Sequence, residues 1–370
     1  MAPDVGGPAS HGPELGRFLA AHGHEVRAVT TAGRGEPEPP GFPLRSSSRD
    51  RALPVRLATG AMAVSEEARG ADVLYATGMY ARTGLVSRLR RIPLVLKLVS
   101  DPAYERARSL DLYAGTLEEF QRSVPGARLR ALKALRRVTV GRASRIVIPS
   151  EYLARIACGW GVPGKRIAVI PNPAPRIEGL PPRDQARRRL GVTGPTLVFA
   201  GRVVLQKNLP LAVAALREVP QASLVIVGEG PELPAIERAV SEAGVARRVF
   251  FQGALRRESV MEWFRAADAA VLPSDWENFP HAAVKALAAG TPLIATSVGG
   301  VPEIVRHGVN GLLVPRGEVA ALAAAMRAVT DQPELLSRLR KGAAASSGRY
   351  VAKETFVAIE DELQRAAEAR

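Results

Sequence analysis

Residues 276–295, WENFPHAAVKALAAGTPLIA, read as a loop that opens a helix, a glycine that ends it, and a buried strand. Pro280 suits the first helical position, where the missing N–H would have no partner anyway. Gly290 suits the position just past a helix end. AAVLPS (269–274) lies before this stretch and PLIATS (292–297) overlaps its end, each an apolar run of strand length. Strand, helix, strand at this spacing is the unit of a parallel sheet covered by helices.

The same alternation extends in both directions. TLVFAGR (196–202), SLVIVGEG (223–230), VFFQGAL (249–255) and GLLVP (311–315) complete the second half. HEVRAVTT (24–31), DVLYATG (72–78), PLVLKLVS (93–100), RIVIPS (145–150) and IAVIPN (167–172) do so in the first. Helical stretches separate them, beginning with PELGRFLAAHG. The chain of 370 residues is too long for one ordinary core. The expectation is an α/β protein with two doubly wound, Rossmann-like domains, at 1–175 and 176–345, and a polar helix at 346–370. The Pro-rich stretch 171–185 reads as the linker. Ligands of such sheets bind at the carboxyl ends of the strands, so the expected site is a cleft between the domains.

A doubly wound domain opens on a central strand, and none is readable before the glycine turn of MAPDVGGPASHG. The first strand is missing from this reading: either the sequence starts late or is shortened, or another segment fills the slot. Without that strand, two sheet edges lie open and the domain loses stability.

Charge divides the chain. Residues 1–190 carry 31 Lys and Arg against 17 Asp and Glu, whereas 191–370 carry 20 against 19. A basic half beside a neutral one implies an anionic partner for the first domain. Residues 122–145 hold eight Lys or Arg and no acid, with Leu129, Leu132 and Leu135 recurring every third position. Two readings stay open: a basic amphipathic helix on an anionic membrane, or a helix packed on the sheet with a solvated basic face. The segment lacks the interleaved aromatics of a nucleic-acid platform, so no nucleic acid is expected. No run of 18 apolar residues and no basic-then-apolar start is readable, so neither a transmembrane helix nor a signal peptide is expected. Cys158 is the one cysteine, which points to a cytoplasmic location.

Several residues stand out as chemistry. Arg202 and Lys207 follow a strand in GRVVLQKN and can pair with a pyrophosphate. Gly228 and Gly230 in VGEGPEL let a base or ribose approach the backbone. Amides near 278–281 can face a phosphate, with Glu277 beside them to accept from sugar hydroxyls. Asp101 ends a strand in KLVSDPAYERA, where it can orient a substrate hydroxyl or cap the following helix. His11 can face an acceptor or the surface. His22 and His24 lack a Cys or carboxylate at ligand spacing, so no metal is expected.

In their order and spacing, VGG near the start, GHEV (23–26), PSEYL (149–153), VIPNP (169–173), GR…K (201–207), VGEGPE (227–232) and residues 273–305 resemble glycosyltransferase family 4, the retaining enzymes of the GT-B fold. The resemblance covers nearly all of the chain. It implies a metal-independent, hexosyltransferase-type enzyme without a cofactor, moving sugar from a nucleotide-diphosphate donor to a glycan or lipid-linked acceptor. It implies a role in cell-surface polysaccharide or glycolipid assembly, in the cytoplasm or peripheral to the inner membrane. Carried onto this sequence, Arg202 and Lys207 match the diphosphate pair, and Glu277 matches the first glutamate of the donor motif, with a catalytic role. Gly6 and Gly7 match the loop beneath the donor. Gly228, Glu232, Asn278, Phe279 and Pro280 fall on donor-binding positions, and Asp101 on a catalytic one. Lys285 departs from the pattern: the family has a glutamate there, accepting from both ribose hydroxyls, and lysine cannot accept. An impaired or non-catalytic relative is therefore the alternative reading.

Overall fold

The computed structural model describes residues 7–33, 40–48, 50, 52–123, 126–175 and 179–369. The chain divides into two compact units, residues 1–170 with 353–370, and residues 171–352.

Unit 1 runs α1 (Gly7–Ala21), β1 (Ala28–Ala32), β2 (Leu44–Ser48), α2 (Leu53–Glu67), β3 (Leu74–Ala76), α3 (Tyr80–Arg90) and β4 (Leu94–Lys97). It continues with α4 (Pro102–Ser109), α5 (Leu117–Arg122), α6 (Ala127–Gly141), β5 (Arg145–Ile148), α7 (Glu151–Gly159) and β6 (Ile167–Val169). Unit 2 holds α8 (Arg183–Arg189), β7 (Thr196–Ala200), α9 (Leu209–Arg217), β8 (Ser223–Val227), α10 (Leu233–Glu242), β9 (Val249–Gly253) and α11 (Arg257–Ala266). It continues with β10 (Ala269–Leu272), α12 (His281–Ala288), β11 (Leu293–Thr296), α13 (Val301–Ile304), β12 (Gly311–Val314), α14 (Val319–Asp331) and α15 (Pro333–Ser346). The chain then returns through α16 (Ala352–Glu368) to unit 1.

Unit 2 is a six-stranded parallel sheet in the order β12-β11-β10-β7-β8-β9. Its strands are continuous apolar runs because both faces are covered. Along β7, Leu197 and Phe199 face the core shared with α9, α10 and α14. Val198 and Ala200 face the core shared with α11 and α12. Chain order reverses on the two sides of β7, so the carboxyl ends of β7 and β10 flank the switch point where doubly wound sheets bind ligands.

The strands of unit 1 fall into two parallel sheets, β1-β2 and β3-β4-β5-β6. Val29 of β1 and Leu74 of β3 pack against one cluster built on Val64, Ala68, Val86 and Ile92, although their strands do not pair. The position expected for a strand before α1 lies outside the described residues.

Several local expectations are corrected. The LRSSS strand, β2, was not expected, because it has one apolar residue in five. The segment 171–185 is not linker throughout, since α8 begins at Arg183. The terminal helix is amphipathic rather than merely polar: Phe356, Ile359 and Leu363 are buried, and so are Glu360 and Glu362. Glu362 pairs with Arg145 of β5, and Glu360 accepts from His22 Nδ1 at 2.8 Å and His24 Nε2 at 2.7 Å. The two histidines thus have a carboxylate partner after all, 336 residues or more along the chain. His11 is buried against Tyr75 and Phe356, away from the surface reading.

Candidate functional site

The switch point of unit 2 is held by two loops. The first follows β7, and the second follows β10. Four side-chain or backbone bonds join them. Asp275 N–H donates to the Gln206 carbonyl at 2.9 Å, and Gln206 Nε2 donates to the Trp276 carbonyl at 2.7 Å. Asn208 Nδ2 donates to Asp275 Oδ1 at 3.1 Å, and the Lys207 ammonium pairs with the Glu277 carboxylate. Asn208 takes a left-handed conformation at φ 44°, which a short polar side chain tolerates, and α9 starts after it.

Glu277 is nearly enclosed, at 5% exposure. Its Oε1 accepts the Ser274 hydroxyl at 2.7 Å as well as the Lys207 ammonium. Its own carbonyl accepts from Gly300 N–H at 3.0 Å, which ties in the loop before α13. Ser274, Gln206 and Asp275 were not singled out from the sequence. Their signal was slight: polar residues one to three positions from a strand end or from an expected site residue.

Arg202 is exposed and makes no ion pair among the described residues. A free guanidinium on the same loop as a fixed ammonium can serve as a receptor for a doubly charged phosphate group. Gly228 and Gly230 sit against this first loop. A Cβ at Gly228 would lie 1.9 Å from the Gly201 carbonyl oxygen, and one at Gly230 would lie 2.0 Å from that of Val203. The glycines therefore serve the packing of loop on loop, which the sequence reading did not anticipate. Glu232 directly precedes α10 and is half-buried.

Pro280 is the residue before α12 rather than its first, and Gly290 follows the helix end at φ 72° as expected. Phe279 packs on Tyr350 in the core, with ring centroids 5.9 Å apart, and Asn278 is buried. Lys285 lies in α12, half-buried, and has no carboxylate partner among the described residues. Burial, followed by the charge of Arg257, holds its ammonium below the usual lysine range.

The unit 1 residues are placed differently. Gly7 is the first residue of α1, and Gly6 lies outside the described residues. Asp101 is fully buried. Its carboxylate caps α4 through Ala103 N–H at 2.8 Å and Tyr104 N–H at 3.3 Å. It also accepts Gln121 Nε2 at 2.9 Å and pairs with Arg136. The expectation that Asp101 presents an oxygen to substrate is corrected: the capping reading holds, and a core ion pair is added to it. No helix among the described residues is long and apolar enough to cross a membrane. No group of His, Cys, Asp and Glu among them could hold a metal ion.

Known proteins share both halves. Residues 5–175 match the family model "Glycosyltransferase Family 4", and residues 182–346 match "Glycosyl transferases group 1". Glycogen synthase of Mycobacterium tuberculosis is 31% identical over 366 residues, 92% of this chain and 86% of that protein. The chain belongs to glycosyltransferase family 4. This family 4 chain is also 33% identical over 235 residues to D-inositol 3-phosphate glycosyltransferase of Xylanimonas cellulosilytica, covering 60% of the chain. That match spans 56% of the relative, so the chain spans little more than half the length of the first curated relatives it matches. Among solved structures, Anabaena HepE in complex with UDP superposes with a TM-score of 0.77 at 21% identity, over 96% of each chain. That likeness carries the fold, which is GT-B.

Proposed function

We propose that this chain transfers a sugar from a nucleoside-diphosphate donor, held by unit 2, to an acceptor hydroxyl. The observation that carries the reading is the switch-point geometry: a free Arg202, and Lys207 locked to Glu277 by the two loops. In this reading Arg202 and Lys207 grip the diphosphate, and their charge stabilises it as it leaves. Glu277 accepts from hydroxyls of the donor sugar. Transfer retains the anomeric configuration and needs no metal or cofactor. UDP is the first nucleotide to test, since HepE forms a complex with UDP.

The acceptor reading is a glycan or lipid-linked group in cell-surface polysaccharide or glycolipid assembly, in the cytoplasm or at the inner face of a membrane. The cationic outer face of α6 supports an approach to an anionic surface.

Lys285 favours a second reading, a weakened donor site. Its ammonium meets no acid among the described residues, and it offers the ribose no acceptor. Calorimetric titration of UDP, GDP and ADP into the parent chain and Lys285→Glu tests both. Micromolar to low-millimolar binding by the parent supports the transferase. Binding by Lys285→Glu alone establishes the weakened site. Silence from both folded proteins defeats the donor reading.

A further inference from the structure

Unit 1 carries a cavity of about 990 Å³ between α5, α6 and α7, open to solvent. Six cations line it: Arg122, Arg130, Lys133, Arg136, Arg137 and Arg155. One carboxylate, Glu118, lines it too, and that group already accepts the Tyr152 hydroxyl.

Two of the cations are committed inward. Arg136 pairs with Asp101 and stacks on Trp160, its guanidinium carbon 4.4 Å from the ring centroid. Lys133 donates to the Phe120 carbonyl at 2.5 Å and the Ser123 carbonyl at 3.2 Å. Burial is the main cause that holds both below their usual ranges, and each also lies near a further cation. The other four arginines are exposed and make no ion pair among the described residues. A concave wall with this imbalance concentrates positive potential. Its volume suits a ligand of sugar-phosphate or headgroup size rather than a single small ion. Guanidinium forks match phosphate oxygens two at a time.

We propose that this cavity binds a phosphate ester, gripped by Arg137 from α6 and Arg155 from α7. A soluble sugar phosphate and a phospholipid headgroup share that chemistry. The cavity belongs to unit 1 and the donor loops to unit 2, and its assignment does not depend on sugar transfer.

The test uses the full chain, Arg137→Gln/Arg155→Gln, and a control pair, Arg88→Gln/Arg106→Gln, whose exposed arginines lie outside the cavity. Each is titrated with glucose 6-phosphate by calorimetry. Each is also sedimented with vesicles of phosphatidylglycerol, against phosphatidylcholine. At least one phosphate probe binds the parent, the cavity pair loses about tenfold or more in affinity, and the control pair stays within about twofold. Binding of glucose 6-phosphate assigns a soluble ligand, and binding of anionic vesicles alone assigns a lipid headgroup. Binding of neither probe overturns the proposal. Equal weakening by the two pairs also overturns it, because the attraction is then general surface charge. UDP titrated into Arg137→Gln/Arg155→Gln reads the donor site with the cavity disabled, so failure there counts against sugar transfer and not against this cavity.

Discussion

The Lys207 ammonium reaches across from the loop after β7 to the Glu277 carboxylate after β10, and Ser274 holds the same carboxylate oxygen from behind. Lys207→Met leaves Glu277 nearly buried without its cation, and stability falls by about 2–4 kcal/mol. The double variant Lys207→Met/Glu277→Gln recovers most of that loss, because no charge is stranded. It does not recover UDP binding. Urea denaturation beside calorimetry separates the two effects.

Arg202 is the opposite case. It is exposed and unpaired among the described residues, so Arg202→Ala changes stability by no more than about 0.5 kcal/mol. UDP affinity falls about 10- to 100-fold, the range of a lost charge-assisted bond. A large drop in thermal midpoint would show that the guanidinium is structural instead.

Asp101→Ala removes a helix cap and strands the buried Arg136 guanidinium. The expected loss is about 3–5 kcal/mol. Asp101→Asn keeps a capping oxygen and is milder. Transfer activity per folded molecule stays near the parent value in Asp101→Asn. A loss of several hundredfold in a stable Asp101→Asn protein would restore a chemical role to this residue.

Lys97 lies in the all-buried strand β4, and its Nζ has no hydrogen-bond partner among the described residues. Burial pushes its ammonium down to about 8 from 10.5. The unfolded chain holds that proton more tightly, so between about pH 8 and 10.5 stability rises with pH, and below about 8 the full cost persists. Lys97→Met therefore stabilises the protein at pH 7 by about 2–3 kcal/mol, and the gain shrinks toward pH 10. Thermal melts of both proteins across that range check the slope.

Gly228→Ala and Gly230→Ala each drive a methyl group into a backbone carbonyl, at 1.9 Å and 2.0 Å. Carbonyls cannot swing aside as a side chain can. Each variant loses about 1–3 kcal/mol and shifts the loop that carries Arg202, lowering UDP affinity as well. Calorimetric titration and a denaturation curve on each variant check both effects.

Much of this architecture was legible because buried parallel strands must be apolar throughout. TLVFA, SLVIV and PLIAT announce themselves, as do the proline and glycine that bracket α12. LRSSS does not, because β2 pairs with β1 alone and needs little apolar surface. In α6 the leucine spacing misled. Leu135 is 56% exposed, while Arg136 is buried along with Thr139 and Val140, and Asp101, the partner of Arg136, lies 35 residues earlier. A burial decided by a distant ion pair leaves no periodic trace. The His22–Glu360 and His24–Glu360 bonds are invisible for the same reason. At the candidate site, Lys207 and Glu277 were readable as residues. Their direct pairing was not, since it depends on two loops meeting at the switch point.

The return of α16 to unit 1 bears on synthesis. Residues 171–352 form a contiguous body, whereas unit 1 needs both 1–170 and 353–370. Domains generally fold in the order in which they leave the ribosome. Here the order of completion is reversed: unit 2 has all its residues while unit 1 still waits for Phe356, Ile359 and Leu363 to cover its core. A chain ending at residue 352 carries a complete second unit behind an incomplete first, and it is the first that a chaperone or protease would engage.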